Sequence, residues 1–178
     1  MTNYIITKDV AKLIRAQLKA AFPGVKFSVR CSTGTASAWI GVSYDDGPTY
    51  DQVANIARAF EGRSFNGMTD NYDDQGTALI AGQGENMPVE VRYLCDGVNI
   101  TRTFTPAAHL EAQRIVATDS NKRDLVICDD AGKLIQGNLV GPEDEVAVIG
   151  GRVQQYPYLD AHMAVHLALA ERDLTPAR

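Results

Sequence analysis

Apolar residues recur at helical spacing near the start of the chain and predict a first helix over Thr7–Ala21. Its buried stripe is expected to contain Val10, Leu13, Ile14, Leu18 and Ala21. Period-two alternation then predicts strands over 25–31 and 38–44. Between the second strand and the next apolar stripe, "DDGPT" at 45–49 begins a predicted helix, and Gly62 is its expected left-handed stop.

Residues 89–104 have the pattern of a β-hairpin. Two alternating runs flank Asp96 and Gly97, a pair that suits a two-residue type I′ turn. Thr105 and Pro106 then begin a helix that continues to about Val116. This order predicts an α+β fold, with a mainly antiparallel sheet and helices packed on one face.

A change in composition at "TDSNKRD", residues 118–124, suggests a boundary. We therefore expect an α+β domain over 1–117 and an extension over 118–178. The extension is expected to contain a hairpin in "LVICDDAGKLI" and a strand in "EVAVIGG". A closing helix is expected to have Leu159, Met163, His166, Leu167 and Ala170 on or near one face.

Composition narrows the class of protein. The chain has 178 residues, 45% of them apolar, as expected of a folded globular protein. It contains no run of about 20 apolar residues of the kind that spans a bilayer. The N-terminus shows no secretory pattern, and the three cysteines sit in apolar alternations typical of reduced core residues. We expect a cytoplasmic protein with no membrane partner.

Charge is distributed unevenly. Residues 1–30 are basic and residues 31–75 are acidic, within a net charge of -5. This reversal favours docking to a charged partner. The acidic stretch ends in "TDNYDD", an expected exposed loop whose acids and tyrosine are candidate partner-binding residues: Asp70, Tyr72, Asp73 and Asp74.

An alternative site uses the basic residues. A row on the first helix, together with cations and a tryptophan on the polar face of the sheet, has the composition of a nucleic-acid-binding surface. Its residues are Lys8, Lys12, Arg15, Lys19, Lys26, Arg30 and Trp39.

Motifs for catalysis and cofactors are weak. His162 and His166 stand four apart, but the residue after the first is Met163 rather than the glutamate that a zinc protease needs. The chain has no P-loop and no G-x-S-x-G elbow, and "GQGENM" does not complete the dinucleotide pattern. We expect no catalytic residues, cofactor or metal. An enzyme assembled from distant residues such as Tyr93, Arg102 and His109 stays an open alternative.

Two ordered stretches carry a family resemblance. "AKLIRAQLKAAFPGVKFSVRCS" and "YDDGPTYDQVANIARAFEGRSFNGMTDNYDD" resemble a large polyvalent protein-associated domain over residues 8–75, with a continuation to 116. The resemblance implies a phage or conjugative-element context and carries no catalytic residues. It favours a non-enzymatic accessory protein that binds a host or mobile-element protein, with counter-defence against restriction or CRISPR systems as the specific form. Nucleic acid is the alternative partner.

Overall fold

The computed structural model describes residues 3–81, 87–119, 125–142, 144–156 and 158–176. Four helices lie in these ranges: α1 (Thr7–Ala21), α2 (Tyr50–Ala57), α3 (Pro106–Asp119) and α4 (Ala161–Leu169). The strands there are β1 (Asn3–Ile6), β2 (Ser28–Cys31), β3 (Trp39–Asp45), β4 (Arg63–Asn66), β5 (Asn71–Asp74), β6 (Ala78–Ile80), β7 (Val89–Leu94), β8 (Gly97–Thr103), β9 (Val146–Ile149) and β10 (Arg152–Gln155). The mixture confirms the predicted α+β class.

The chain forms two units. Unit 1 comprises Met1–Tyr44 and Tyr50–Arg102 with Pro176–Arg178, and unit 2 comprises Asp45–Thr49 and Thr103–Thr175. The expected boundary segment at 118–124 lies largely outside the described residues, which end at 119 and resume at 125. Helix α3, which the sequence-based division placed in the N-terminal domain, belongs to unit 2.

In unit 1 the helices pack against the buried faces of the sheets. Helix α1 spans the predicted Thr7–Ala21, and its buried residues Val10, Ile14 and Leu18 join one core with Val29 and Val91. The sheets have the strand orders β1-β7-β6 and β2-β3-β8, and β4 and β5 pair separately. Strand β1 runs parallel to β7, whereas β6 runs antiparallel to it.

The predicted hairpin over 89–104 is wrong. Strands β7 and β8 alternate as expected, but they lie in different sheets. Neither Asp96 nor Gly97 has the positive φ of a type I′ turn. Instead, the amide of Asp96 donates to the carbonyl of Ala38 at 2.8 Å. The ring of Trp39 occupies the space that a Cβ at position 97 would need, so Gly97 permits close packing rather than a turn.

The predicted left-handed stop at Gly62 is also wrong. Helix α2 passes into a 3₁₀ turn over Arg58–Phe60, and Gly62 does not have positive φ. A Cβ at Gly62 would overlap the carbonyl oxygen of Tyr93. Glycine is therefore required here because two backbone segments approach closely.

Unit 2 has its own core. Small and branched side chains of α3 and α4 pack with Ile127, Ile149 and Tyr156. Strands β9 and β10 form a hairpin at Gly150 and Gly151, which both have positive φ. The hairpin predicted in 125–135 is reduced to an isolated bridge between Cys128 and Leu134.

The residues predicted on one face of the closing helix differ in burial. Helix α4 begins after Asp160, whose carboxylate accepts from the amide of Met163 at 2.7 Å. Met163 and His166 are exposed, whereas Ala164, Val165 and other small or branched residues are buried. The short side chains of this face allow α4 to pack close to its neighbours.

The "DDGPT" sequence is held by hydrogen bonds within unit 2. Asp46 lies in the left-handed region at φ 51°. Its carboxylate accepts from the Thr105 amide at 2.9 Å and from the Thr105 hydroxyl at 2.6 Å. The amide of Leu174 donates to the carbonyl of Gly47 at 2.7 Å. These contacts fix the chain just before α3.

Candidate protein-binding surface

Residues 63–74 form a β-hairpin, so the expected loop at "TDNYDD" is wrong. Strands β4 and β5 pair antiparallel, with Phe65 opposite Tyr72 and Ser64 opposite Asp73. Residues 67–70 form the turn, where Asp70 takes positive φ at 49° and the side chain of Asn66 accepts from the amide of Met68 at 3.0 Å. Aspartate tolerates this left-handed conformation better than most residues do.

The hairpin has two different faces because its side chains alternate. Arg63, Phe65, Tyr72 and Asp74 share one face, which makes contacts with the rest of unit 1. The other face is polar, and on it the Asn66 amide group donates to the Asp73 carboxylate at 2.8 Å. The four candidate residues therefore divide: Tyr72 and Asp74 lie on the anchored face, Asp73 lies on the outward face, and Asp70 lies at the turn.

Charge and backbone contacts anchor the hairpin. Asp74 forms an ion pair with Arg92 on β7, and Arg63 lies 3.4 Å from the Asp96 carboxylate. At its base the Gly62 amide donates to the carbonyl of Cys95 and the Gln75 amide donates to the carbonyl of Gly62, at 2.8 and 2.9 Å. These links attach the hairpin to the rest of unit 1 and so hold its outward carboxylates in place.

Aromatic rings reinforce the anchored face. Tyr72 meets Trp39 edge to face, with ring centroids 6.3 Å apart and an interplanar angle of 86°. The ring centroid of Phe65 lies 5.3 Å from that of Tyr72, in a tilted arrangement. Aromatic pairs at these separations are favourable. Phe65 is still 56% exposed, and Met68 at the turn is 96% exposed.

The sheet beside the hairpin has an exposed apolar face that sequence reasoning missed. On this outer sheet face, Tyr4 lies opposite Arg92 and Ile6 lies opposite Leu94, while Leu79 lies opposite Glu90. The four apolar side chains are all exposed: Tyr4, Ile6, Leu79 and Leu94. A cluster of this kind commonly marks an interaction surface. Because Asp74 pairs with Arg92, the hairpin adjoins this face.

Recognising the outer sheet face required the pairing of β1 with β7. Strand β1 has four residues and pairs in parallel with a strand almost ninety residues away. Residues 3–6 contain three large apolar side chains, which is a strand signal, but no local pattern identifies the partner strand.

The basic candidate residues lie on two opposite sides of unit 1. On α1, Lys8 and Lys19 are exposed on the face turned away from the core, Lys12 pairs with Asp9 at 2.7 Å, and Arg15 donates to the carbonyl of Val29 at 2.7 Å. Lys26 is exposed in the segment before β2.

The remaining two basic-site candidates lie on the sheet. Arg30 and Trp39 alternate with Val29 and Ile40, whose side chains are buried against α1. Arg30 and Trp39 therefore point to the side of the sheet opposite α1. The structure places this pair on one side of the sheet and separates it from the row on the helix.

Burial controls the titration of two groups in this unit. It raises the pKa of the Cys95 thiol to about 11, against a smaller opposing effect of the Gly97 backbone. It also raises the pKa of Tyr93. Both groups therefore stay neutral at physiological pH. Tyr93 belongs to unit 1 and His109 to unit 2, where the His109 ring lies 2.8 Å from the carbonyl of Gly132.

In the described part of the chain, no three or more histidine, cysteine or acidic side chains are grouped to hold a metal ion. His162 and His166 are both exposed on α4. Within the same ranges, every helix is too short or too polar to cross a bilayer.

Comparison with known families confirms the resemblance drawn from the sequence. Residues 5–105 match the model of large polyvalent protein associated domain 29, which is more than half of the chain. The chain therefore belongs to this family, and the family implies a protein associated with a phage or another mobile element. Comparisons with curated proteins and with solved structures give no match. The matched residues include all of the β4–β5 hairpin and, of the outer sheet face, Ile6, Leu79 and Leu94 but not Tyr4.

Proposed function

We propose that the chain is a non-enzymatic accessory protein of a phage or mobile element that binds a protein partner through the β4–β5 hairpin. The observation that supports this most is the division of the hairpin into two faces. One face is fixed by Trp39 and Arg92, and the other presents Asp73, with Asp70 at the turn. Carboxylates held in place lose little conformational entropy on binding.

The charge of the hairpin supports a basic partner surface. Asp70, Asp73 and Asp74 lie within five consecutive residues, and of these Asp74 is paired with a cation. Carboxylates on a strand can oppose a basic groove, where complementary potential raises the association rate and excludes other partners. The outer sheet face beside them supplies apolar area of the kind found in the core of interfaces.

Counter-defence is the specific form that we propose. Restriction and CRISPR effectors bind nucleic acid through basic grooves, and an acidic hairpin that occupies such a groove would compete with the phosphate backbone. Family membership supports the mobile-element context. The charge and the exposure of the hairpin are the observations that support the proposed inhibition.

Affinity capture from a host lysate tests this function. The wild-type chain should retain one defence protein in stoichiometric yield, and nuclease treatment should not release it. The double variant D70K/D73K should lose that protein while keeping its fold by circular dichroism. Equal capture by wild type and D70K/D73K would remove the hairpin from the site.

A nucleic-acid-binding module is the second candidate, favoured by the exposed lysines of α1. Lys8, Lys12 and Lys19 share the face of the helix turned away from the core. Binding of this kind would weaken steeply with salt, because each phosphate contact releases counterions. A low-salt gel shift that K8E/K19E abolishes would support it, and no shift with DNA or RNA would end it.

A further inference from the structure

Unit 2 contains a cavity that lies outside the matched family domain. Its volume is about 460 Å³, within the range of small-molecule sites. The described residues that line it are Leu125, Val126, Ile135, Asn138, Leu139, Val140, Gly141, Pro142 and Tyr156. All of them lie after residue 105, where the family match ends. The cavity therefore offers unit 2 a role separate from that of the hairpin.

The lining is mainly apolar. Leu125, Leu139 and Tyr156 are buried and form the floor, whereas Val126 and Val140 are exposed at the mouth. The carboxamide of Asn138 supplies a polar group. A cavity with apolar walls and few polar groups is typical of sites for small organic ligands.

One wall is held by close packing. A Cβ at Gly141 would lie 2.6 Å from atoms of the Tyr156 ring, so the backbone at 141 lies directly against that ring. The amide of Tyr156 donates to the carbonyl of Glu145 at 3.3 Å. This geometry holds the wall without a ligand, as expected of a largely preformed site.

The surroundings of the cavity are acidic. The backbone hydrogen bond between Tyr156 and Glu145 places Glu145 beside one wall, with Asp144 next to it in the chain. An isolated bridge places Asp160, whose carboxylate also accepts from the Met163 amide, beside Asn138. Among the described residues from 125 to 160, the cations are Lys133 and Arg152, and Arg152 pairs with Glu171.

We propose that this cavity binds a small organic cation with an apolar body. The apolar walls bury the body, and the acidic surroundings attract the charge and disfavour organic anions. A phenylalkylamine has this chemistry and fits the volume. The proposal does not depend on the function proposed for the hairpin, since the two sites lie in different units.

Titration of the full-length protein with 4-phenylbutylammonium tests the proposal. Amide resonances of Leu125, Val140 and Gly141 should shift saturably in heteronuclear NMR spectra. The isosteric anion 4-phenylbutyrate should bind at least roughly tenfold more weakly, because its charge is reversed in the same apolar site. No saturable shift at these amides, or equal binding of the anion, would overturn the proposal.

Two pairs of variants test whether the ligand binds in this cavity. Val126→Trp should block the mouth and reduce binding at least roughly tenfold, whereas Val153→Trp, at an exposed position that does not line the cavity, should leave it unchanged. Glu145→Lys should reduce selectivity for the cation over the anion, and Asp130→Lys, at the tip of the turn between Cys128 and Leu134, should not. Unchanged affinity in V126W and unchanged selectivity in E145K would each contradict the assigned site.

Discussion

Trp39 on β3 meets Tyr72 on β5 edge to face at 6.3 Å, and this contact joins the hairpin to the sheet. Trp39 also covers Gly97, so its ring has packing partners on two strands. A ring used in this way has less surface for stacking on a nucleotide base. The contact therefore favours the hairpin as the binding element and weakens the case for Trp39 as a stacking platform.

Removing the Tyr72 ring should loosen the hairpin. Tyr72→Ala loses contacts with both Trp39 and Phe65 and should reduce the free energy of unfolding by about 1–2 kcal/mol in urea denaturation. Tyr72→Phe keeps the ring and should change the free energy of unfolding by less than about 0.5 kcal/mol. Equal losses in the two variants would mean that the hydroxyl, and not the ring contacts, stabilises the hairpin.

Gly62 should not tolerate a methyl group. In Gly62→Ala the new Cβ overlaps the carbonyl of Tyr93, and the required backbone shift should cost about 1–3 kcal/mol and lower the Tm. Gly67→Ala is the matched control, since its Cβ would meet only Phe65 at 3.9 Å. A Tm for G62A equal to that of G67A would contradict the close approach at this position.

Asp46 should stabilise the start of α3 through both its backbone conformation and its carboxylate. Asp46→Ala removes two hydrogen bonds to Thr105 and places alanine at φ 51°, so it should cost about 2–4 kcal/mol by thermal or urea unfolding. Asp46→Asn keeps an acceptor and tolerates the left-handed conformation, so it should cost less than half as much. Equal losses in D46N and D46A would contradict this account and show that a neutral acceptor cannot replace the carboxylate.

The Cys95 thiol should resist alkylation in the native protein. With a pKa of about 11, about one thiol in a thousand is ionised at pH 8, and the side chain is also buried. Iodoacetamide at pH 8, followed by mass spectrometry, should modify Cys95 at least roughly a hundredfold faster in urea than in buffer. A native rate within tenfold of the denatured rate would mean that the core around Cys95 opens readily.

The local pattern of apolar residues predicts the helices and strands better than it predicts which strands pair. The bounds of α1 follow from one amphipathic stripe, and the alternation in 89–104 correctly predicts two strands. The same alternation cannot distinguish a hairpin from two strands in different sheets, because it reports which face is buried and not which strand is adjacent. Gly97 looked like a turn residue only because the packing of Trp39 against it is invisible in sequence.

The sequence indicates the acids of the candidate surface but not the strand pairing that carries them. Asp70 and Asp73 belong to an acidic stretch, and both are exposed, Asp70 at the turn and Asp73 on the outward face of the hairpin. The pairing of Asp74 with Arg92 and the exposed cluster around Tyr4 and Ile6 depend on contacts between distant segments. Such contacts leave no local periodicity, so sequence reasoning placed these residues on a loop or did not select them.

The most direct test is the affinity of the captured, purified partner for the chain by isothermal titration calorimetry. D70K/D73K should bind at least roughly tenfold more weakly than wild type, because it reverses the two carboxylates presented outside the anchored face. The control D51K/D130K has the same net charge change at exposed acids outside the hairpin and should stay within about twofold of wild type. Equal affinities for D70K/D73K and D51K/D130K would contradict binding through the hairpin.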